Sequence, residues 1–326
     1  MIRQIHFFSP DFLPKNQDQL TQINADIKIT EGDLIPDPAE YEILVHENPT
    51  SEWLEASHNL KAVVVPWAGI TEKTREIMAS YPHISFHNLH YNNHNTAELG
   101  FALLLSAAKR IHPMDRALRQ NDWSPRYQNP QAMLLRNKTA LILGFGEIGR
   151  ALGSYCLGLG MNVIATKRHV NHPVVVNNIM VYPQDQTHNL LRRADILLIA
   201  LPLTPETENL ISDQEIGLMP KNSIIVNIGR GPIVNQRAFY QALVSGHLWA
   251  AASDVWYHYP KSKEDRINTP PADYPFGELE NFVLSPHRGG LIEGVEEQRD
   301  QALIELINAA ARGEPIPNRV DPHTGY

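Results

Sequence analysis

The 326-residue chain has a single cysteine, Cys156, which excludes an internal disulfide and fits a reducing, cytoplasmic compartment. It lies in Ala151-Leu-Gly-Ser-Tyr-Cys156 with no motif around it, and reads as a small buried hydrophobe rather than a nucleophile. No run of about 18 apolar residues occurs, so no membrane-crossing helix and no membrane partner are expected. The opening Met1-Ile-Arg-Gln-Ile-His-Phe-Phe8 is too short an apolar stretch for a secretory signal and reads as a first strand. Excess positive charge is also lacking. With 28 Lys and Arg against 36 Asp and Glu the net charge is −8, which argues against a nucleic-acid partner and means that an anionic ligand needs a local cationic site. Internal repeats and low-complexity tracts are absent as well. What is present is a 43% hydrophobic content, enough for a large core, in a chain whose length suggests two domains.

Short apolar runs separated by polar segments mark both parts of the chain. Ile5–Phe8, Ile27–Ile29, Tyr41–Val45, Ala62–Val65 and Ile84–Phe86 have the rhythm of a small α/β domain. Thr96–Ile111 then carries Phe101, Leu104, Leu105 and Ala108 at helical spacing and suits a bridge into a second domain. From Thr139 to Pro286 a longer series follows: Ala140–Leu143, Asn162–Ala165, Ile196–Leu201, Ile224–Ile228, Trp249–Ala252 and Phe282–Leu284. Helix-like stretches between them predict a doubly wound parallel sheet. Glu293–Ala311 is a last amphipathic helix, stopped by Gly313-Glu-Pro-Ile-Pro317.

The most specific local signal is Thr139-Ala-Leu-Ile-Leu-Gly144-Phe-Gly146-Glu-Ile-Gly149-Arg150, a G-x-G-x-x-G directly after a strand and before a helix. The first glycine permits the tight turn, and the second lets a pyrophosphate approach bare backbone. The third lets the helix pack on the sheet while its N-terminal N–H groups face the phosphates. This makes a dinucleotide-dependent redox enzyme the leading reading. Lys167, followed by Arg168, lies 18 residues past Gly149, where the next strand should end. An acid there would bind the ribose 2′-hydroxyl of NAD, whereas a basic pair neutralises the 2′-phosphate of NADP. The alternative is an ordinary solvated strand end; the coenzyme expected is NADP, with NAD possible.

Three more strand ends carry groups suited to chemistry. Ser223–Val226 runs into Asn227-Ile228-Gly229-Arg230-Gly231, Leu248–Ser253 into Asp254, and Asn281–Leu284 into Ser285-Pro-His287-Arg-Gly289. Ligands of open α/β sheets bind outside the carboxyl ends of the strands, which makes Arg230, Asp254 and His287 site candidates by topology. A guanidinium suits a carboxylate or an oxygen gaining charge, and an imidazole suits proton transfer near neutral pH. Any one of them alone would more simply be a salt-bridged arginine or a hydrogen-bonded core histidine; all at strand ends favour function.

Together with Leu201-Pro-Leu-Thr-Pro-Glu-Thr207, these segments resemble the D-isomer-specific 2-hydroxyacid dehydrogenase family, in order and over nearly the whole chain. The resemblance implies a doubly wound parallel Rossmann domain (residues 100–290) inserted into a flavodoxin-like α/β substrate domain (residues 1–99 plus 291–326), in a homodimer built around the bridging helices. It implies that Arg230 clamps the substrate carboxylate and polarises the keto oxygen, that His287 passes the proton at C2, and that Asp254 holds the nicotinamide carboxamide. It places coenzyme contacts at Gly144, Gly146, Glu147, Ile148, Gly149, Lys167 and Arg168, at Leu201, Pro202 and Thr207, and at Ile228, Gly229, Arg230, Asp254, His287 and Gly289. Pro66-Trp67-Ala68-Gly69-Ile70 resembles the turn whose backbone N–H groups cradle the substrate carboxylate, and Trp67 would restrict the pocket if it faces inward or else pack under the loop.

One departure matters for mechanism. The family reads Asp-Val-x-x-x-Glu-Pro where this chain reads Asp254-Val-Trp-Tyr-His-Tyr259-Pro260, so the glutamate that pairs with the histidine is replaced by Tyr259. A carboxylate stabilises the imidazolium; a phenol with a pKa of about 10 stays neutral and preserves at most orientation through a hydrogen bond. Glu264, Asp265 and Glu278, in or just after the proline-rich stretch 261–276, are acids that would have to fold back to replace it. His83, His87, His90 and His94 invite a metal reading, but their segment alternates strand-like and loop-like stretches, and no metal is expected. The function expected is reduction of a small 2-keto acid, such as glyoxylate or hydroxypyruvate, by hydride from NADP(H); the alternative is a dinucleotide-binding regulatory protein of the same fold with weakened catalysis.

Overall fold

Strands β1 (Gln4–Phe7), β2 (Lys28–Glu31), β3 (Ile43–Val45), β4 (Ala62–Val64) and β5 (Ser85–His87) pair in parallel in the order β2-β1-β3-β4-β5 in a computed structural model that describes residues 2–15, 17–24, 26–128 and 132–322. This is the 2-1-3-4-5 order of flavodoxin-like sheets. The chain divides into two units, residues 1–92 with 291–326, and residues 93–290. The first unit recruits the end of the chain through the helix Val295–Arg312, bounded by Gly294 and Gly313 in the left-handed region (φ 76° and 74°), where glycine carries no Cβ penalty. Its Leu303, Ile304, Leu306 and Ile307 pack on Ile5, Phe7, Ile43, Val45, Ala62 and Val64. Each such side chain, fully buried, contributes about 1.5–3 kcal/mol, enough to fasten a remote segment.

The second unit carries β6 (Thr139–Leu143), β7 (Asn162–Lys167), β8 (Val174–Val176), β9 (Ile179–Pro183), β10 (Ile196–Ile199), β11 (Ser223–Asn227), β12 (Leu248–Ser253) and β13 (Phe282–Leu284). They line up as β13-β12-β11-β10-β6-β7-β9-β8. Leaving out β8 and counting from β6, this is the Rossmann order 3-2-1-4-5-6 with one strand added at the end. Buried residues fill both faces of β10 and β11, as a sheet covered by helices on two sides requires. The α/β fold class read from the sequence is therefore observed. The sheet also has a hairpin that the sequence reading passed over. β8 pairs antiparallel with β9 through Asn177-Asn178, both at positive φ (51° and 63°), as a type I′ turn demands.

Candidate active site

The three glycines of the first turn have distinct duties. Gly144 has φ 94° and a Cβ there would stand 2.6 Å from the Ala200 carbonyl oxygen; one on Gly149 would stand 2.1 Å from that of Gly144. Both positions exclude a side chain for steric reasons. A Cβ on Gly146 would meet nothing within 4 Å, so the open space over the N-terminus of the helix Glu147–Gly158 is where a phosphate fits. Ile148 is half-buried and Glu147 is exposed, its carboxylate paired with Arg150. These residues fit a dinucleotide. Lys167 ends β7 and Arg168 follows it, both exposed. Glu206 shares their neighbourhood: the Thr204 hydroxyl, then its own backbone N–H, and least the Arg168 charge, hold its carboxyl below the usual range.

The loop after β10 folds on itself. Thr207 Oγ1 accepts from the Thr204 N–H at 2.7 Å and donates to the Pro202 carbonyl at 2.7 Å. Leu201 abuts the turn after β11, where a Cβ on Gly229 would lie 2.5 Å from the Leu201 carbonyl oxygen. Asn227 builds that turn: its Oδ1 accepts from Gly229 N–H at 3.0 Å and its Nδ2 donates to the Arg230 carbonyl at 2.9 Å. Ile228 is buried against the position of Gly100, and Arg230 Nη1 donates to the Gly229 carbonyl at 2.7 Å.

Asp254, 2% exposed, fastens the turn that carries His287. Its Oδ1 accepts from the Ser285 hydroxyl at 2.5 Å and the Arg288 N–H at 2.8 Å, and its Oδ2 accepts from the Gly289 N–H at 2.8 Å. Trp256 Nε1 adds a bond to the Ser285 carbonyl at 2.8 Å. These bonds hold His287 at φ 56°, a left-handed conformation that a residue with a Cβ adopts only when its surroundings impose it. Burial, and then the Arg230 cation, push the His287 pKa below its ordinary value, and Asp254 opposes them. Arg230, Asp254 and His287 thus share one electrostatic neighbourhood at adjacent strand ends.

Tyr259 stands beside the histidine, ring centroids 5.4 Å apart and planes at 53°. Its hydroxyl accepts from the Trp256 N–H at 3.0 Å, so the hydrogen bond to the imidazole that the sequence allowed gives way to ring contact. Burial raises its pKa, which keeps the phenol neutral. Among the described residues no carboxylate is hydrogen-bonded or ion-paired to His287. Glu264 is turned to its own backbone and Ser262. The 261–276 segment lies on the helix Gln236–Val244: Asp273 pairs with His258 and Gln236, and Phe276 packs on Phe239 and Phe282.

In the first unit the turn after β4 presents Trp67, Ala68 and Gly69. Asn88 Nδ2 donates to the Ala68 carbonyl at 2.7 Å and Leu89 N–H to that of Trp67 at 3.2 Å. Among the described residues, no hydrogen bond from the N–H groups of Ala68, Gly69 and Ile70 to a backbone carbonyl is found. His87 is structural, joined to the Pro317 carbonyl at 2.8 Å and the Ser85 hydroxyl at 3.0 Å. Sequence reasoning did not single out Asn227, Ser285 or Trp256 as builders of the site, although all three stand in or beside the segments it quoted.

A model of the D-isomer specific 2-hydroxyacid dehydrogenase NAD binding domain matches residues 101–289. The glyoxylate reductase of Thermococcus litoralis is 34% identical over 231 residues, 69% of this chain and 66% of that protein. The D-3-phosphoglycerate dehydrogenase of Methanocaldococcus jannaschii is 27% identical over 307 residues, 93% of this chain and 56% of its own length. The chain thus spans less than two thirds of the length of these relatives. Among solved structures, a D-isomer specific 2-hydroxyacid dehydrogenase from Xanthobacter autotrophicus Py2, in complex with NADPH and MES, superposes with a TM-score of 0.79 at 22% identity over the whole of both chains. Apo D-mandelate dehydrogenase of Rhodotorula graminis gives 0.83 at 18% identity over 98% of each.

Proposed function

Since the chain belongs to the D-isomer specific 2-hydroxyacid dehydrogenase family, we propose that it is a reductase of small 2-keto acids that uses NADP(H). The observation that carries this reading is that the Arg230 charge reaches His287 from the end of β11, while Asp254 fastens the turn after β13 that carries the histidine. In this reading Gly144, Gly146, Gly149 and the helix behind them hold the pyrophosphate, and Leu201, Pro202, Thr207, Ile228 and Gly289 border the coenzyme. Bound NADPH would supply the hydride delivered to C2. Arg230 clamps the carboxylate and stabilises the charge growing on the keto oxygen, an interaction worth most in the transition state. His287 in its charged form gives that oxygen a proton. Ala68 and Gly69 offer backbone donors to the carboxylate, and Trp67 bounds the space for the substrate side chain. Tyr259 fixes the imidazole by contact and leaves its charge uncompensated.

Lys167 and Arg168, exposed at the end of β7, support NADP over NAD, and the Xanthobacter protein of the same fold binds NADPH. Homodimerisation belongs to this reading too: Leu118, Trp123, Tyr127 and Leu134 leave large apolar side chains exposed near the helices that follow Asn93. Sedimentation of the purified protein at several concentrations checks it, and a monomer throughout would remove it. A buried Cys156, its thiol pushed up to about 12 by burial, suits a cytoplasmic protein with no redox use for it. The decisive assay is steady-state oxidation of NADPH and NADH across glyoxylate, hydroxypyruvate and longer 2-keto acids. Tight coenzyme binding with no turnover of any of them would replace this reading with a regulatory one.

A further inference from the structure

The indole of Trp67 is held by a guanidinium over its ring and by a neighbouring phenyl ring. Arg299, on the C-terminal helix, places its guanidinium carbon 5.8 Å from the centroid of the Trp67 ring, within cation–π range. Its Nη2 also donates to the Asp11 carbonyl at 2.9 Å, in the Pro10–Phe12 turn. Phe12 from that turn meets the same indole edge to face, with centroids 6.0 Å apart at 87°. Arg299 is 5% exposed and is bound through Nε and Nη2 to Asp300 Oδ1 (3.2 and 3.0 Å), itself 3% exposed. A buried ion pair rarely adds net stability over well-packed apolar side chains, because desolvating both charges offsets their attraction. What this pair supplies is a fixed position for a planar cation. The loop backbone is pinned separately, by Asn88 and Leu89, so side chain and backbone have independent supports. Trp67 itself remains 38% exposed, which leaves part of the ring available to a ligand.

We infer that Arg299, locked by Asp300, is a positioning residue that sets how large a 2-keto acid the enzyme accepts, by holding the Trp67 indole as a rigid wall. This rests on the reading of Trp67 as a substrate-lining residue. The carboxylate donors of Ala68 and Gly69 do not depend on Arg299, so the smallest substrate, glyoxylate, is expected to be little affected when the wall loosens, whereas longer side chains gain.

The test compares kcat/KM for 2-oxovalerate and for glyoxylate in the wild type, Trp67→Ala, Arg299→Met/Asp300→Leu and the triple variant. Removing both charges together avoids stranding one of them. The 2-oxovalerate to glyoxylate ratio should rise about tenfold in the paired variant, with glyoxylate kcat/KM within about threefold of wild type, and should rise no more than about twofold further when Trp67→Ala already has the wall removed. Arg299→Lys keeps Asp300 paired but lacks the planar fork, and should raise the ratio by about threefold; its ratio decides should the paired variant not fold. A second readout needs no turnover. Acrylamide quenching assigned to Trp67, taken as the difference between each protein and its Trp67→Phe counterpart, should increase roughly twofold as the indole is released from Arg299. An unchanged ratio and unchanged quenching in a folded Arg299 variant overturn the inference, as does full additivity with Trp67→Ala. Trp67→Ala leaving the ratio at the wild-type value overturns the parent reading of Trp67, and this inference with it.

Discussion

Replacing Tyr259 by glutamate should move the pH dependence of reduction, and the geometry sets the size of the move. His287 is pushed below the ordinary imidazole pKa by burial and by the Arg230 cation. The phenol beside it contributes no compensating charge. Reduction needs the charged imidazole as proton donor, so in the wild type the rate should fall as pH rises through that depressed pKa, starting below the ordinary value of about 6.5. Placing a carboxylate at the present ring separation of 5.4 Å adds an attraction of about 3 kcal/mol at an effective dielectric of about 20 and under 1 kcal/mol in bulk water. Those limits correspond to shifts of about 2 and about 0.6 pKa units. The imidazole is only partly withdrawn from solvent, which favours the lower half, and a rise of about 1 unit is expected. The sign is upward: a carboxylate stabilises the imidazolium, and the falling limb of kcat/KM for glyoxylate moves to higher pH. Tyr259→Phe is the control. It introduces no charge and should leave the limb in place, while removal of the acceptor for the Trp256 N–H should cost about 1–3 kcal/mol of stability in urea unfolding. A Tyr259→Glu protein that is folded and active with its limb unmoved would refute the reasoning, and His287 would no longer stand as the donor.

Lys167→Glu should weaken NADPH binding at least about tenfold, a loss of about 1.4 kcal/mol, and narrow or reverse the preference over NADH; equal wild-type affinities in a direct titration would remove the argument from this strand end. Arg230→Ala should lower kcat/KM for the keto acid about a hundredfold or more and leave NADPH affinity within about threefold, because the lost interaction is strongest with the charge of the transition state. His46, 4% exposed, has its pKa lowered to about 4 by burial and then by the neighbouring His6 charge. The unfolded imidazole binds its proton at about 6.5, so stability should fall as pH drops from there toward 4, by up to about 3 kcal/mol, and level off below. In urea titrations the stability gap between wild type and His46→Gln should shift against the wild type over that window, and a pH-independent gap would argue that His46 is neutral in both states.

How much of this was legible beforehand depends on whether a property is local. The glycine turn was, because a Cβ on Gly149 would meet the carbonyl oxygen of Gly144 only five residues back, and sequence spacing reports such short-range sterics faithfully. The parallel, doubly wound character of the larger sheet was legible too, in apolar runs long enough to be covered on both faces. The β8–β9 hairpin was missed for the opposite reason: it is a two-sided edge with an Asn-Asn turn, and positive φ at asparagine is a signal easily taken for an ordinary loop. Roles created by long-range contact were not legible at all. That Asp254 spends both carboxylate oxygens on residues 285–289 and that Arg299 reaches back to Asp11 and Trp67 join positions tens to hundreds of residues apart, and that the Tyr259 hydroxyl accepts from Trp256 rather than from His287 depends on how the loop packs. The residues named from sequence were therefore those whose chemistry is intrinsic to the side chain. Residues whose chemistry consists in holding another residue still became visible only once the strands had brought them together.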